Sequence, residues 1–526
     1  MRDFQRPGRS TAYGTSGMIA TSHPLATLAG IECLKSGGSA ADAAVTASAV
    51  LAVVEPQSTG IGGDCFALIK RPGEPLRGLN GSGAAPIALD AGRFLGKPAF
   101  DDISVHSVTV PGAIAAWQSL LERYGRQSLG EALRPAIGFA ETGFVVTPRV
   151  ASDWRREEGR LHANAGARMH LFKGGKAPAE GDVMRSPALA ASLKLIAEQG
   201  PDAFYRGSLT DDMVATLRAL GGAHTPEDFA AHRSDWVEPV TTPYRNFDIA
   251  EIPPNGHGIT ALILLGILRE LGAPAADPDG AKRFHLLMES ARLAHAVRDT
   301  YVADPRRAEV PVDFLLSAGL AKELAGRIDP KRRRDDLGPV PKPKGKDTIY
   351  LSVVDRDGLA ISFINSIYFP FGSTITTEKT GIVLQNRGLG FSMQEGHPNA
   401  IAPGKRPLHT IIPGMALKGG EAEIVFGVMG GAFQPVGHAT VMQNMLDYGL
   451  DPQSSLDAPR IFFEDGGLTA EKGVPEATKH ELAAMGHTMK DADEPFGGGQ
   501  IIRIDRERGV VIGGSDPRKD GFAAGY

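Results

Sequence analysis

The chain has 526 residues, of which 42% are hydrophobic and 22% charged, the balance of a soluble globular protein. Its length suits two to four domains or one large layered α/β unit. A formal net charge of −5 excludes a strongly basic nucleic-acid surface.

The opening residues, Met1 to Pro7, contain no apolar core of the kind a signal peptide needs, so the expected location is cytoplasmic. Ser22 followed by Pro24 marks a helix start, with Ser as the N-cap, and Gly37-Gly38 stops the helix. Ser39 caps a second helix through about Val54 that is small and apolar on nearly every face, as close packing under a sheet requires. Gly60-Ile61-Gly62-Gly63-Asp64 forms a tight loop feeding a strand from Phe66 to Ile69. Cys33 and Cys65 sit in apolar stretches without metal-ligand spacing and read as buried, reduced thiols. The longest small-apolar runs, Ala43 to Val54 and Ile259 to Leu268, are too short to span a bilayer.

From Pro111 to Leu320 the spacing is mainly helical, with helices expected over Ala113–Tyr124, Leu129–Thr142, Thr210–Leu220, Ile259–Leu271 and Lys282–Tyr301. Residues 329 to 347 differ: Lys, Arg, Asp, Pro and Gly dominate, and Pro339, Pro341 and Pro343 favour an extended, exposed linker. The basic cluster Lys331 to Arg334, followed at once by Asp335-Asp336, belongs to that solvated linker and not to a nucleic-acid patch. Strands then take over. Thr348 to Asp355 and Leu359 to Ile367 form a hairpin about Asp357-Gly358. Further strands are expected at Gly381–Gln385, Met415–Leu417, Ile424–Val428, Gln500–Ile504 and Val510–Ile512, with a helix from Gln434 to about Tyr448. A polar linker running into the first strand of a sheet suits an internal processing site, although an ordinary domain boundary is the simpler account of that pattern.

Common catalytic signatures are missing: there is no lysine-bearing phosphate loop, no HExxH and no CxxC. The fourteen histidines show no ligand spacing, so no metal and no organic cofactor is expected. What remains is Asp347-Thr348 at the start of the hairpin. A threonine hydroxyl is a weak nucleophile and needs a base. Attack of Thr348 on the carbonyl of Asp347, followed by hydrolysis, would free an α-amino group. Its ordinary pKa of about 7.7–8.0 lets it act as general base near neutral pH. On pattern alone, a plain strand threonine is the simpler reading.

Several motifs together resemble those of the γ-glutamyltransferase (γ-glutamyltranspeptidase) family of Ntn hydrolases. They are Asp347-Thr348 with Ser352-Val353-Val354-Asp355 and Asp357-Gly358, Gly404-Lys405-Arg406-Pro407-Leu408, and Gly430-Gly431. Asp516-Pro517-Arg518 with Gly521, and the early Asp42-Ala43-Ala44, Glu55-Pro56 and Gly60 to Asp64, complete the set, so the resemblance covers most of the chain. It implies an α+β fold, the αββα four-layer sandwich, built from large and small subunits of one precursor. The large subunit would be 1–347 and the small one 348–526, paired as an αβ heterodimer that can dimerise further. It also implies that Thr348 is the processing and catalytic nucleophile and that Ser366 hydrogen-bonds its hydroxyl. Gly430 and Gly431 would be the oxyanion-hole pair, where glycine lets backbone N–H groups approach; a simple strand-to-helix turn is the alternative.

The substrate end departs from the family pattern. Ser82 stands where the family has a carboxylate-binding arginine. Arg387 and Gly390 stand where acidic or amide side chains bind an ammonium, His409-Thr410 replace paired serines, and Tyr368 replaces an asparagine. The loop from Phe391 to Lys405 is shorter than a lid-bearing one. These variants resemble a branch that includes oxamate amidohydrolase and cephalosporin-acylase-like proteins. The expected activity is hydrolysis of a small acidic amide or acyl-amide, oxamate-like or glutaryl-like, with Arg387, His409 and Thr410 near its carboxylate. Pairing of Arg387 with an internal acid and a core role for His409 are the structural alternatives. The competing activity is γ-glutamyl transfer or glutathione hydrolysis, within glutathione metabolism.

Overall fold

The strand Ile349–Val354 has no exposed position. In this computed structural model, which describes residues 8–272, 276–337, 348–464 and 466–526, the reason is that the strand lies at the middle of a stack. It pairs antiparallel with Ala360–Ser366 across the expected turn, where Gly358 takes φ 78°. Both belong to a seven-stranded sheet ordered Ala523–Gly525, Met18–Ala20, Ile349–Val354, Ala360–Ser366, Asp64–Lys70, Arg77–Gly81, Asp235–Val237. A second seven-stranded sheet runs Ala12–Gly14, Val510–Ser515, Gly499–Asp505, Glu421–Val428, Gly414–Lys418, Phe247–Glu251, Val240–Tyr244.

Alternation along the strands generates the layers. Ile349, Leu351 and Val353 join Ala43, Ala47 and Val50 in a core between the first sheet and its helices. Tyr350 and Val354 point the other way and meet Met415, Val425 and Ile502 between the sheets. Ile424, Phe426 and Val428 face Leu262, Leu265 and Val436 in a third core. Three apolar layers separated by two sheets make the αββα sandwich, an α+β fold. Gly427 is needed where the sheets approach, since a Cβ there would run into the Tyr350 ring.

Helix Ala40–Val54 is buried along its whole length and starts with a reciprocal capping box between Ser39 and Asp42. The preceding helix, Pro24–Lys35, corrects one expectation. Its N-cap is His23, whose Nδ1 accepts from the Leu25 N–H at 3.2 Å, while Ser22 donates to Glu55 at 3.0 Å. The expected strand at Gly381–Gln385 is absent as well. The chain there folds back on itself, with the Ser373 N–H bonded to the Leu384 carbonyl and the Thr377 N–H to that of Ile382, leaving only isolated bridges. Conversely, Val240–Tyr244 and Phe247–Glu251 are strands within the stretch read as helical. The helix from Gln434 runs to Met442 and continues through a π turn, Gln443–Asp447.

Residues 338–347, including Asp347, and the opening residues 1–7 lie outside the described residues. The first part of the expected linker is anchored: Arg333 N–H donates to Met485 at 2.7 Å, Arg334 N–H donates to Glu289 at 3.0 Å, and Leu337 is buried. Both sheets take strands from both sides of residue 347, so the two stretches interleave in every core layer. Cys33 and Cys65 are free and buried. No helix among the described residues is long and apolar enough to cross a membrane.

Candidate active site

Hairpin register sets the centre of the site. Ile349 pairs with Asn365, so the next step outward places Thr348 opposite Ser366, and their hydroxyl oxygens lie 3.1 Å apart. Ser366 pairs in turn with Asp64 on the adjacent strand. Asn365 locks this end of the sheet by donating to Thr59 at 2.8 Å and accepting from the Trp117 indole at 3.2 Å. Beyond Ser366 the chain turns sharply. Tyr368 adopts φ 83°, a left-handed conformation costly for a bulky residue, and its N–H donates to the Ser366 hydroxyl at 2.9 Å. A threonine hydroxyl held against a second hydroxyl is a geometry that nucleophilic acyl transfer can use.

Gly430 and Gly431 follow strand Glu421–Val428 and lead into helix Gln434–Met442. Both take positive φ, 119° and 55°, which glycine adopts without the Cβ penalty. The Met429 N–H bonds the Gly498 carbonyl and the Phe433 N–H the Gly430 carbonyl, so the turn is fixed on both sides. Their place at a strand-to-helix junction beside the hairpin layer suits backbone N–H groups presented to an oxyanion.

Around Asp64 lies a closed polar network. His409 Nε2 donates to Asp64 Oδ2 at 2.9 Å, Gln385 Nε2 to Oδ1 at 3.0 Å, and the Gly112 N–H to Oδ1 at 3.0 Å. His409 Nδ1 accepts from the Ile411 N–H, which places the ring hydrogen on Nε2. Burial, helped by Arg387 and Arg406, holds the His409 imidazole well below its usual pKa, and burial pushes the Asp64 carboxyl up to about 6. His409 is thus a buried histidine with both ring nitrogens engaged, the arrangement of the core alternative. Ser82 is likewise engaged, donating to Asn80 at 2.7 Å and accepting from Asn255 at 3.2 Å. Gly390 has a packing reason: a Cβ there would run into the Leu408 carbonyl.

Arg387 is 1% exposed and donates from Nη1 to the Thr410 hydroxyl at 2.7 Å, with its guanidinium 4.5 Å from the Tyr368 ring centre. Its Nε and Nη2 are buried without a hydrogen-bond partner, and burial draws its pKa down to about 10. The nearby acid, Asp64, opposes that shift without forming an ion pair with it among the described residues.

A cavity of about 260 Å³ brings together Tyr368, Gly390 and Thr410 with Ala432, the residue after the glycine pair. Thr348, at 1% exposure, and Arg387 are not among its lining residues, and Arg387 touches two of them, Thr410 and Tyr368. Arg298, Asp299, Ser392, His397 and Asn399 complete the polar lining and were not legible as site residues. Arg298 and Asp299 end the helix Ala281–Tyr301, and nothing in the sequence marks them apart from its other charged residues. The short loop after Phe391 is pinned by Phe391, Met393 and Ile401 packed with Ala85 and Leu89. A larger cavity, about 640 Å³, is lined by Ala84, His232, Arg306 and Arg406 and shares no residue with the smaller one. Among the described residues, no group of three or more His, Cys, Asp or Glu could hold a metal ion.

Comparison with known proteins agrees with this fold. The family model described as gamma-glutamyltranspeptidase matches residues 26–526. The glutathione hydrolase-like YwrD proenzyme of Bacillus subtilis (strain 168) is 38% identical over 98% of this chain and 99% of its own length. The oxamate amidohydrolase proenzyme of Klebsiella pneumoniae is 35% identical over 98% of this chain and 100% of its own length. Among solved structures, the cephalosporin acylase from Bacillus halodurans superposes with a TM-score of 0.92 at 40% identity, covering 100% of this chain and 99% of that one.

Proposed function

The chain belongs to the γ-glutamyltranspeptidase family of Ntn hydrolases, and from that premise we propose that it is an autoprocessed amidohydrolase with Thr348 as nucleophile. Its substrates are small acidic amides or acyl-amides, oxamate-like or glutaryl-like. The observation that carries this reading is the 3.1 Å contact between the Thr348 and Ser366 hydroxyls at the head of the hairpin.

In the precursor, the Thr348 hydroxyl attacks the carbonyl of Asp347, the acyl group shifts from N to O, and water hydrolyses the ester. The products are a large subunit ending at Asp347 and a small one beginning at Thr348, which stay together because they share both sheets. The freed α-amino group then takes the hydroxyl proton as Oγ1 attacks the substrate amide. Ser366 orients Oγ1, and the Gly430 and Gly431 N–H groups take the developing oxyanion. The α-ammonium returns its proton to the departing amine, and water releases the acid from the threonine ester.

Arg387 gives this side of the site a positive charge, held through Thr410 and the Tyr368 ring, where an ammonium-binding acid would otherwise stand. That favours an acid-bearing substrate over an α-amino one. His409 and Ser82 act by holding Asp64 and the Asn80–Asn255 pair in place. A cytoplasmic setting belongs to the same proposal, supported by the two free, buried cysteines. The glutathione hydrolase-like name of the Bacillus subtilis relative favours a second reading, γ-glutamyl hydrolysis.

Purified protein should run as two bands cut before Thr348, and Thr348→Ala as one inactive chain. Turnover of γ-glutamyl-p-nitroanilide, oxamate and a glutaryl amide separates the readings. A wild-type chain that stays whole and inert sinks the enzyme assignment, and strong γ-glutamyl turnover selects the second reading.

A further inference from the structure

Two arginines stand near the site, and only one opens onto the cavity. Arg387 is beneath the Tyr368 ring, whereas Arg298 lines the 260 Å³ space itself. Arg298 directs Nε and Nη2 to a single oxygen, Asp299 Oδ1, at 2.7 and 2.6 Å. Its third nitrogen, Nη1, makes no hydrogen bond among the described residues and is not sealed from solvent.

The other polar groups of the wall sort into engaged and available. His397 Nε2 donates to the Asp299 carbonyl at 2.7 Å and its Nδ1 accepts from the Asn399 N–H at 3.0 Å. Asn399 donates to the Gly390 carbonyl at 2.7 Å and accepts from the Leu408 N–H at 3.0 Å. The imidazole is therefore fully used, and the amide has one donor and one acceptor engaged. What the wall still offers is a guanidinium arm together with the hydroxyl hydrogens of Tyr368, Ser392 and Thr410, the last two already accepting from the Gln394 N–H and Arg387, set among Val302 and Phe391. The wall's one carboxylate, Asp299, already takes both of Arg298's inner donors on one oxygen. Such a surface is rich in donors and suits an anion on a short apolar arm.

We propose that Arg298 is the specificity-determining residue of the site, its Nη1 receiving the carboxylate of the substrate with help from the flanking hydroxyls. This rests on the amidohydrolase reading above and names the group that selects its acidic substrates. Arg387 acts from behind, through Thr410 and Tyr368, without touching the acid.

The test uses the processed full-length protein with Arg298→Gln and Arg298→Lys, each first checked for cleavage before Thr348. Two anilides are compared, glutaryl-p-nitroanilide and the analogue in which the free carboxylate is a carboxamide. The expected result for Arg298→Gln is a KM raised about tenfold or more for the acid and unchanged for the carboxamide, with Arg298→Lys recovering part of the loss. Equal changes for both anilides, or no change for the acid, overturn the proposal. If Arg298→Gln does not process, Arg298→Lys is judged by the same comparison, and a charge-blind KM in it counts against the proposal. Calorimetry with glutarate gives a readout independent of turnover. Wild type that binds no glutarate overturns the Arg298 assignment even if amides are cleaved. Wild type that binds glutarate through Arg298 but cleaves no amide upholds this site and sinks the hydrolase reading instead.

Discussion

Thr348 and Ser366 face each other because the hairpin register that pairs Ile349 with Asn365 carries one step further, leaving their hydroxyls 3.1 Å apart. The same Ser366 oxygen accepts the Tyr368 N–H, so the contact also fixes the turn that follows. Ser366→Ala removes one hydrogen bond to the nucleophile and leaves the Tyr368 N–H without its acceptor. The expected consequence is precursor cleavage and turnover slowed about tenfold, from a loss of about 1–1.5 kcal/mol in each transition state. Ser366→Thr should restore both. A gel time course and single-turnover kinetics check this, and an Ala variant cleaving at the wild-type rate would remove Ser366 from the mechanism.

The glycine pair makes a sharper demand. At φ 119° and 55°, Gly430 and Gly431 sit where a Cβ costs about 1–2 kcal/mol per residue. At Gly430 the new Cβ would also press on the Gly497 backbone, 3.2 Å away. Gly430→Ala should therefore shift the N–H donors and lower kcat about 10²–10³-fold, the scale of losing an oxyanion donor, with KM changed little. If kcat is retained while only stability falls, the pair is a structural turn.

The sandwich was legible where pattern and chemistry agreed. The capped, all-small helix Ala40–Val54 and the hairpin after Thr348 were readable because burial on both faces leaves continuous apolar runs. The strands Val240–Tyr244 and Phe247–Glu251 were not, since five residues are too few to establish a period amid long helices. Gly381–Gln385 has strand-like residues but no neighbouring strand edge to pair with, a matter of tertiary placement that composition does not encode. At the site, the Thr348, Ser366 and glycine positions came from motif resemblance, and local pattern alone favoured a plain strand threonine. His409 was readable as a residue but not as a role: its partner Asp64 lies 345 positions away, and only the fold shows that the two are bonded. Arg298 was invisible because only the fold brings its helix to the cavity wall.

That Asp64–His409 bond carries its own prediction. Both side chains are completely buried, and Asp64 holds four donors at once: the imidazole, the Gln385 amide and the Gly83 and Gly112 N–H groups. His409→Ala takes away one donor and leaves an acid, already raised in pKa by burial, with less compensation. A loss of about 1–3 kcal/mol in urea unfolding is expected, the cost of one buried hydrogen-bond partner. Asp64→Asn combined with His409→Ala should cost less than the sum of the two single changes. Additive losses would mean that the two residues stabilise the protein independently.

Glu55 tests the electrostatics of the core away from the chemistry. It is 2% exposed and accepts from Ser22 at 3.0 Å, and burial pushes its carboxyl up from 4.5 to about 7 against the pull of Lys519 and Ser22. A folded-state pKa above the unfolded one means that the fold prefers the protonated acid. This contribution is complete below about pH 4.5 and is lost as pH rises through about 7. Glu55→Gln keeps an acceptor for Ser22 and cannot ionise. Its unfolding free energy relative to wild type should therefore rise between pH 5 and pH 8, by an amount of order 3 kcal/mol. His23, drawn down to about 4 by burial, titrates with the opposite sign, losing stability as pH falls below 6.5. It is present in both proteins, so it cancels in the difference. Urea titrations of the pair at pH 5, 6, 7 and 8 measure the slope, and a difference that stays flat across that range means Glu55 ionises in the fold as readily as in water.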